Sequence, residues 1–224
     1  MTSPRAPGPR SRSTSPPEPP DARARFRRLR RAELPSETVA LARFLIGCII
    51  VSDVPPGRAS ARIVECEAYL PGDAAAHSFR GETARNRTLF MRRGHAYVYF
   101  IYGNHYCLNV SSERAGIGAG VLLRAGEPLT GIDLMRARRG VSAERDLCRG
   151  PGRLAQALGI GAAEDGLDLC AAGPLWLAAP RDGPGGRVAV GASVRIGISK
   201  EADRVLRYYV RDSPYVSGPK KLNS

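Results

Sequence analysis

The chain has 224 residues, 43% of them hydrophobic, which is enough for a sizeable core in one domain or two small ones. Its formal net charge of +13 favours a polyanionic partner, although arginines that only keep the surface soluble would give the same sign. The five cysteines are widely spaced without a C-x-x-C pair, the three histidines lack metal-ligand spacing, and there is no long apolar run, which excludes a disulfide framework, a recognisable metal site and a membrane span.

Residues 1–31 are rich in Pro, Ser and Arg and hold almost no large apolar side chains. Such a segment buries too little surface to offset the entropy of ordering it, so we predict a disordered basic tail. The first 32 residues carry nine arginines against two acidic residues. The tail therefore either adds salt-dependent affinity for DNA or is a dispensable extension, and both readings stay open.

The first folded element is predicted to be a helix capped by Ser36 and closed by Gly47. A buried strand over residues 48–51 and an alternating strand over Ala59–Tyr69 follow. Residues 70–94 show no periodicity, so we predict a long loop with one helical turn, and long loops inside compact domains are often functional.

A β-hairpin is predicted over residues 96–111, where aromatic and β-branched residues flank a Gly103-Asn104 centre suited to a type II′ turn. Tyr97 and Tyr99 share one face of the first strand, and we expect Tyr97 to belong to the core. Tyr102 stands beside the turn, where a large ring has few ways to be buried. We therefore predict that Tyr102 protrudes from the hairpin tip.

The remaining elements alternate irregularly between strands and helices. The patterns predict helices over Ile132–Arg139 and residues 153–158, and strands near residues 121–124, 167–170, 174–178, 193–198 and 205–210. Because the strands do not alternate regularly with helices, a parallel fold is disfavoured. We predict one α+β domain over residues 32–219, with a mostly antiparallel curved sheet, surrounding helices and a protruding β-hairpin, followed by a tail over residues 220–224.

Two carboxylates, Glu65 and Glu67, lie two residues apart on a predicted strand and therefore face the same side, roughly 6–7 Å apart. One of two neighbouring carboxylates can gain proton affinity and act in acid–base catalysis. Pairing of both with the abundant arginines at a strand edge is the structural alternative. Tyr69 continues the same face.

The loop after this strand carries His77 and a cluster of arginines, Arg80, Arg85 and Arg87. His77 by itself is typical of a loop residue that makes hydrogen bonds. The arginines are either a solvated basic loop or a clamp for DNA phosphates beside a site.

Several motifs occur in an order that resembles the alkyladenine (3-methyladenine) DNA glycosylases of the human type, which are distinct from the helix-hairpin-helix glycosylases. They are residues 65–69 (ECEAY), 76–78 (AHS), 85–91 (RNRTLFM), 97–103 (YVYFIYG), 107–109 (CLN), 121–128 (VLLRAGEP), 150–154 (GPGRL), 207–210 (RYYV) and 213–217 (SPYVS). The resemblance covers about residues 34–219. Ala84 and Asn104 depart from the family pattern, at positions that often hold Pro and Met.

The resemblance implies that Glu67 is the general base that activates water and that Arg124 helps to hold this water and the backbone. It further implies that Tyr69 and Tyr99 stack on the two sides of a flipped base, with His77 close to it through a hydrogen bond.

Asn109 would act as a steric filter against the amino group of normal guanine, and Tyr102 would intercalate into the space that the extruded nucleotide leaves. Arg80, Arg85 and Arg87 would contact the DNA backbone. These assignments imply excision of alkylated purines from duplex DNA: 3-methyladenine, 7-methylguanine and, less directly, hypoxanthine and ethenoadenine. The expected partner is duplex DNA with damaged bases, and the expected protein is a monomer in a bacterial cytoplasm at the nucleoid, without a metal or cofactor.

A glycosylase that also cuts the strand needs an amine for a Schiff base. None of the three lysines, Lys200, Lys220 and Lys221, lies in the matched motifs, so we expect a monofunctional enzyme. No residue for protonating the leaving group of a neutral base is identifiable.

Two other function classes are compatible with parts of the sequence. A nucleic-acid-binding module would use the charge and the tyrosine hairpin but would leave Glu65, Glu67 and His77 without a role. A hydrolase of ordinary glycosides would use Glu65 and Glu67 as its carboxylate pair and would not depend on DNA.

Overall fold

The computed structural model describes residues 26–101, 103, 105–180 and 188–223. These residues form three α-helices and nine strands. The helices are α1 (Thr38–Leu45), α2 (Ile132–Arg139) and α3 (Pro151–Leu158), and the strands are β1 (Phe26–Arg28), β2 (Ile49–Ser52), β3 (Ala59–Tyr69), β4 (Ala96–Ile101), β5 (His105–Ser111), β6 (Gly120–Thr130), β7 (Leu175–Pro180), β8 (Val190–Ser193) and β9 (Arg207–Val210).

All nine strands belong to one sheet, with the order β1-β7-β2-β3-β6-β5-β4, and its pairings are antiparallel. One edge of β3 is divided between two strands: β2 pairs with the first half of β3, and β9 pairs with its second half. The strand β8 pairs with β9. The predicted α+β class with a single, mostly antiparallel sheet is therefore confirmed.

The main core lies on the face of the sheet that the helices cover. Leu41 and Leu45 of α1, Met135 of α2 and Leu154 of α3 pack there against alternate residues of β3. The opposite face holds two smaller apolar clusters, around Trp176 and around Tyr209. None of the helices in the described ranges is long and apolar enough to span a bilayer.

Two neighbouring bulges in the pairing of β3 with β6 orient the side chains of the candidate site. Ile63 pairs with Gly126 and Glu65 with Ala125, so Val64 has no opposite residue; Cys66 pairs with Leu123, so Arg124 has none. Such bulges re-aim side chains and reset the alternation of a strand. Because of this reset, Glu65, Glu67 and Tyr69 all point away from the main core while Ile63 and Cys66 both point into it.

Three sequence-based assignments of secondary structure need correction. Glu37, not Ser36, caps α1, since its carboxylate accepts hydrogen bonds from the amides of Val39 and Ala40. The predicted strand near residues 167–170 consists of turns with one isolated bridge, and the strand placed near 193–198 is β8, which ends at Ser193.

Secondary structure is also present outside the predicted domain boundaries at residues 32 and 219. Residues 26–28 form an edge strand on β7, and Leu29 is fully buried. At the other end, Lys220–Leu222 forms a 3-10 turn and Asn223 accepts a hydrogen bond from Arg207. The predicted disorder of residues 1–25 lies outside the described residues, as do Tyr102 and the Gly-Asn turn, of which only Gly103 is described.

Candidate active site

A cavity of about 510 Å³ opens between the end of β3, the β4–β5 hairpin, the start of α3 and residues 196–198. Its walls are mainly aromatic and apolar. Five residues assigned to the site from the sequence line it: Tyr69, His77, Tyr99, Asn109 and Arg124. The fold thus brings together side chains from four separate segments of the chain.

Glu67 lies directly behind this wall and has no exposed surface. Its Oε1 accepts a hydrogen bond from the Ile196 amide at 2.7 Å, and its Oε2 accepts one from the Tyr69 hydroxyl at 3.0 Å. The Arg124 Nη1 is 3.3 Å from Oε1. Ile196, Tyr69 and Arg124 all line the cavity, so the residues that contact the Glu67 carboxylate are themselves part of the cavity wall.

The second carboxylate, Glu65, is buried and paired with two arginines. Its Oε1 accepts hydrogen bonds from Arg124 Nε at 3.0 Å and Arg207 Nε at 2.7 Å, and its Oε2 accepts one from the Ser217 amide at 2.7 Å. The pairing with arginine that was the structural alternative therefore applies to both carboxylates, with two arginines at Glu65 and Arg124 alone at Glu67. Of the two, Glu67 is the carboxylate next to the cavity.

The two environments push the pKa values of these carboxyl groups apart. Burial raises the pKa of Glu67, and Arg124, the Ile196 amide and the Tyr69 hydroxyl only partly oppose it. Burial also acts on Glu65, but the charges of Arg124 and Arg207 outweigh it and hold the pKa of Glu65 below its usual value. A pair separated in this way is typical of an acid–base site, with Glu67 as the group that can exchange a proton.

Aromatic rings form the wall opposite the carboxylates. Tyr97 and Tyr99 stack with ring centroids 5.4 Å apart, and His77 meets Tyr99 edge-on at 4.4 Å. The Tyr97 hydroxyl and His77 Nδ1 are 2.9 Å apart, a hydrogen bond that fixes the imidazole. Tyr97 is buried as predicted, yet it also lines the cavity. Partial burial, with a smaller contribution from Arg85, lowers the pKa of His77, which favours the neutral form of the ring.

Two features of the wall bear on ligand binding. Asn109 is buried in this wall, and its Nδ2 has no hydrogen-bond partner among the described residues. The ring of Tyr69 is backed by Arg195, whose guanidinium carbon is 4.6 Å from the ring centroid. Arg195 is itself buried and paired with Asp73, so the Tyr69 ring is held firmly.

A second cavity, of about 530 Å³, adjoins the first and shares Ala76, His77 and Tyr97 with it. Its lining includes three cations, Arg80, Arg85 and Lys200, and the exposed ring of Phe79. Of the three loop arginines singled out in the sequence, Arg80 and Arg85 lie here. Arg87 is exposed on the neighbouring 3-10 turn and lines neither cavity.

Several cavity residues were not predicted as parts of the site. Gly150, Gly152 and Arg153 at the start of α3 line it, and a Cβ on Gly152 would come within 3.0 Å of the His105 side chain, so a glycine permits this close approach. The motif at residues 150–154 could have indicated that these residues belong to the site. The irregular segment that carries Ile196 contains no sequence pattern that indicates a place in the site. Within the described ranges, no group of three His, Cys, Asp or Glu side chains is placed to hold a metal ion.

Comparison with known proteins agrees with this geometry. Residues 32–214 match the family described as methylpurine-DNA glycosylase. Three relatives carry the name "Putative 3-methyladenine DNA glycosylase". The protein from Mesorhizobium japonicum is 62% identical over 86% of this chain and 91% of its own length. Those from Paraburkholderia phytofirmans and Methanoculleus marisnigri are 50% and 48% identical, over 87% and 81% of this chain and 90% and 94% of their own lengths.

The match spans most of the chain and includes the segments that build the cavity. It sets aside both the binding-only module and the hydrolase of ordinary glycosides, and it identifies DNA as the substrate polymer. The chain belongs to the methylpurine-DNA glycosylase family, and it is an enzyme that hydrolyses N-glycosidic bonds.

Proposed function

We propose that this protein is a monofunctional glycosylase that extrudes alkylated purines from duplex DNA and hydrolyses their glycosidic bond with Glu67 as the general base. The observation that carries the proposal is the position of Glu67, a buried carboxylate of raised pKa directly behind an aromatic cavity. A purine inside a duplex is inaccessible to such a site, so it must first swing out of the helix, at a cost of a few kcal/mol.

The cavity suits a flat, electron-poor base. Tyr69 and Tyr99 would stack on its two faces, and His77 would donate or accept a hydrogen bond at its edge. An N-alkylated purine is a cation, so each aromatic face adds an attraction on the order of 0.5–2 kcal/mol. A damaged base also pairs and stacks less well, which lowers the cost of extrusion.

Glu67 would take a proton from a water molecule whose oxygen attacks C1′ of the sugar. The bond from C1′ to the base nitrogen breaks, and its electron pair leaves with the purine, which departs neutral if it was a cation. Among the described residues, Glu67 Oε2 accepts one hydrogen bond, from Tyr69, so a lone pair on this oxygen is available for water. The carboxylate charge would also stabilise the positive charge that develops on the sugar.

Arg124 would hold the water and the backbone of the extruded nucleotide at the cavity edge. It contacts both Glu65 and Glu67, and the three side chains balance to a net charge of −1 before Arg207 is counted. Arg207 then neutralises this buried group. A neutral but strongly ordered network can orient a water molecule without repelling the anionic DNA.

Asn109 would discriminate against undamaged guanine. Its buried side chain forms part of the cavity wall and would act as a steric filter against the exocyclic amino group of guanine. 7-Methylguanine carries the same amino group, but its glycosidic bond is weakened by the positive charge and breaks despite the steric conflict. Adenine-derived and hypoxanthine bases lack this amino group.

The surroundings of the cavity suit duplex DNA. Arg80 and Arg85 in the second cavity and Arg87 beside it would contact phosphates on the lesion strand. Tyr102, between the cavity-lining residues Ile101 and His105, would fill the space left in the helix.

None of Lys200, Lys220 and Lys221 lines the first cavity, which supports a monofunctional enzyme that leaves an abasic site. We propose that it acts as a monomer on nucleoid DNA.

Release of free 7-methylguanine from a defined methylated duplex tests the proposal. Glu67→Gln should lower the single-turnover rate about 10²–10⁴-fold, since this is the usual contribution of a general base, while affinity for the damaged duplex is kept. Glu33→Gln is the matched control, because Glu33 lies near the far edge strand β1 and pairs with Arg27. Equal rates for wild type and Glu67→Gln would contradict the assignment, and strand nicking trapped by borohydride would contradict the monofunctional mechanism.

A further inference from the structure

Of the two carboxylates in the motif at residues 65–69, Glu65 is the one that the proposed mechanism does not use directly. It has no exposed surface and does not line the cavity, yet it makes three hydrogen bonds to charged or backbone donors. A buried ion pair is weak support for stability, because the cost of desolvating the charges is large. Stability alone therefore does not explain why a charged Glu65 is buried beside the site.

The structure shows Arg124 shared between two carboxylates. Its Nε donates to Glu65 at 3.0 Å, whereas its Nη1 is 3.3 Å from Glu67. Because Arg124 is the bulged residue of β6, its side chain can reach both. The shorter contact is the one to Glu65.

Glu65 is fixed from the side away from the cavity. Arg207 donates to it at 2.7 Å and is in turn held by the Ser193 hydroxyl, the Leu222 and Ser217 carbonyls and the Asn223 side chain, at 2.7–3.1 Å. Arg207 is fully buried, and all three of its guanidinium nitrogens donate. The carboxylate of Glu65 is thus anchored through Arg207 to residues 217–223.

We infer that Glu65 is a positioning residue: anchored by Arg207 and the Ser217 amide, it draws Arg124 away from Glu67 and so keeps Glu67 able to accept a proton. This inference rests on the proposed role of Glu67 as the general base. Without the Glu65 charge, Arg124 would be free to form a full ion pair with Glu67. A carboxylate closed by a guanidinium is a poorer base and has less access to water.

The inference predicts a pH effect that a merely structural role would not produce. The charged and titratable groups around Glu67 are Arg124 on β6, Glu65, Cys66 and Tyr69 on β3, Arg207 on β9 and Arg195 next to the donating amide. Glu65 raises the pKa of Glu67 by repulsion, and Arg124 lowers it. Removing the Glu65 charge while Arg124 shifts toward Glu67 lowers the pKa of Glu67 on both counts.

Glu65→Gln should therefore move the acid limb of the single-turnover pH profile to lower pH and reduce the plateau rate on the order of tenfold to a hundredfold. 7-Methylguanine is the appropriate substrate, because its positive charge is fixed by alkylation and does not depend on protonation by the enzyme. Spontaneous release at each pH is subtracted. Glu65→Asp retains the charge and should keep the acid limb near its wild-type position, and Glu33→Gln should leave the profile unchanged.

A second variant covers the possibility that Glu65→Gln does not fold, since it leaves Arg207 without its charged partner. Glu65→Gln/Arg207→Met removes both buried charges together, a change that proteins often tolerate. If thermal melting shows that this variant is folded and its acid limb stays at the wild-type pH, the inference is overturned, even if the rate is low. An inactive wild type would instead refute the proposed function and the inference with it, so the two failures are distinguishable.

Discussion

The two neighbouring cavities have similar volumes and share His77, yet their polar groups are held in opposite ways. At the first cavity, Arg124 lines the wall and Glu67 lies directly behind it, and both are buried and fixed by short contacts. In the second, Arg80, Arg85 and Lys200 are exposed to solvent. Charges act strongly where water is excluded and weakly where it screens them. On this comparison we assign the proposed chemistry to the first cavity and the proposed anchoring of a polyanion to the second.

Among the variants that test this contrast, removal of a stacking ring should cause the largest loss of activity. Tyr99→Ala should lower kcat/KM for 7-methylguanine roughly tenfold to a hundredfold, because stacking of a base on an aromatic ring contributes about 1–3 kcal/mol. Tyr99→Phe is the control that keeps the ring and removes only the hydroxyl, and it should stay near wild type. A loss as large in Tyr99→Phe as in Tyr99→Ala would show that the hydroxyl, not the stack, is what matters.

Substitution of Asn109 should change selectivity within the first cavity. Asn109→Ser should raise the release of undamaged guanine relative to 7-methylguanine by about tenfold, because the side chain that excludes the amino group is shortened. Release of hypoxanthine, which lacks this amino group, serves as the internal control and should change little. Base release from defined oligonucleotides, resolved by chromatography, measures all three. An unchanged guanine rate would contradict the filter role.

Loss of the exposed cations should have the smallest effect on chemistry and a distinct effect on binding. Arg80→Gln/Arg85→Gln should reduce the slope of log affinity against log salt by about one to two, since each lost phosphate contact removes close to one unit. The saturated single-turnover rate at pH 8 should stay within about twofold of wild type. Arg136→Gln, the loss of one cation on α2 away from both cavities, is the control for net charge and should leave the slope unchanged.

If the Arg80→Gln/Arg85→Gln variant lost catalytic rate as strongly as Tyr99→Ala, the division between a chemical and an anchoring cavity would fail. Arg85 also contributes to the lowered pKa of His77, so the pH of this comparison is kept well above the range where His77 titrates.

The parts of the molecule that the sequence predicted well are those set by local periodicity. The strand Ala59–Tyr69 and the helix Ile132–Arg139 have the predicted bounds, and the common face of Glu65, Glu67 and Tyr69 follows from the alternation of a strand. The aromatic hairpin likewise brought Tyr99 and Asn109 to one cavity.

The parts that were missed depend on contacts between distant segments. The segment after β8 has no periodicity, and its place is set by the pairing of Arg195 with Asp73 and by the hydrogen bond from the Ile196 amide to Glu67. Arg207 was noticed only as part of a motif, because nothing near it in the chain indicates a partner at Glu65. Likewise, Phe26–Arg28 looked like tail because its partner, β7, lies about 150 residues away.

The paired bulges at Val64 and Arg124 make the site sensitive to strand register as well as to side-chain identity. If β3 paired with β6 without the bulge at Val64, plain alternation from the inward-facing Ile63 would turn Glu65, Glu67 and Tyr69 inward toward the helices, even though every functional side chain would still be present. A change that removes the bulge and leaves these side chains in place should thus disrupt the site, so the pairing register of the sheet is itself part of the catalytic design.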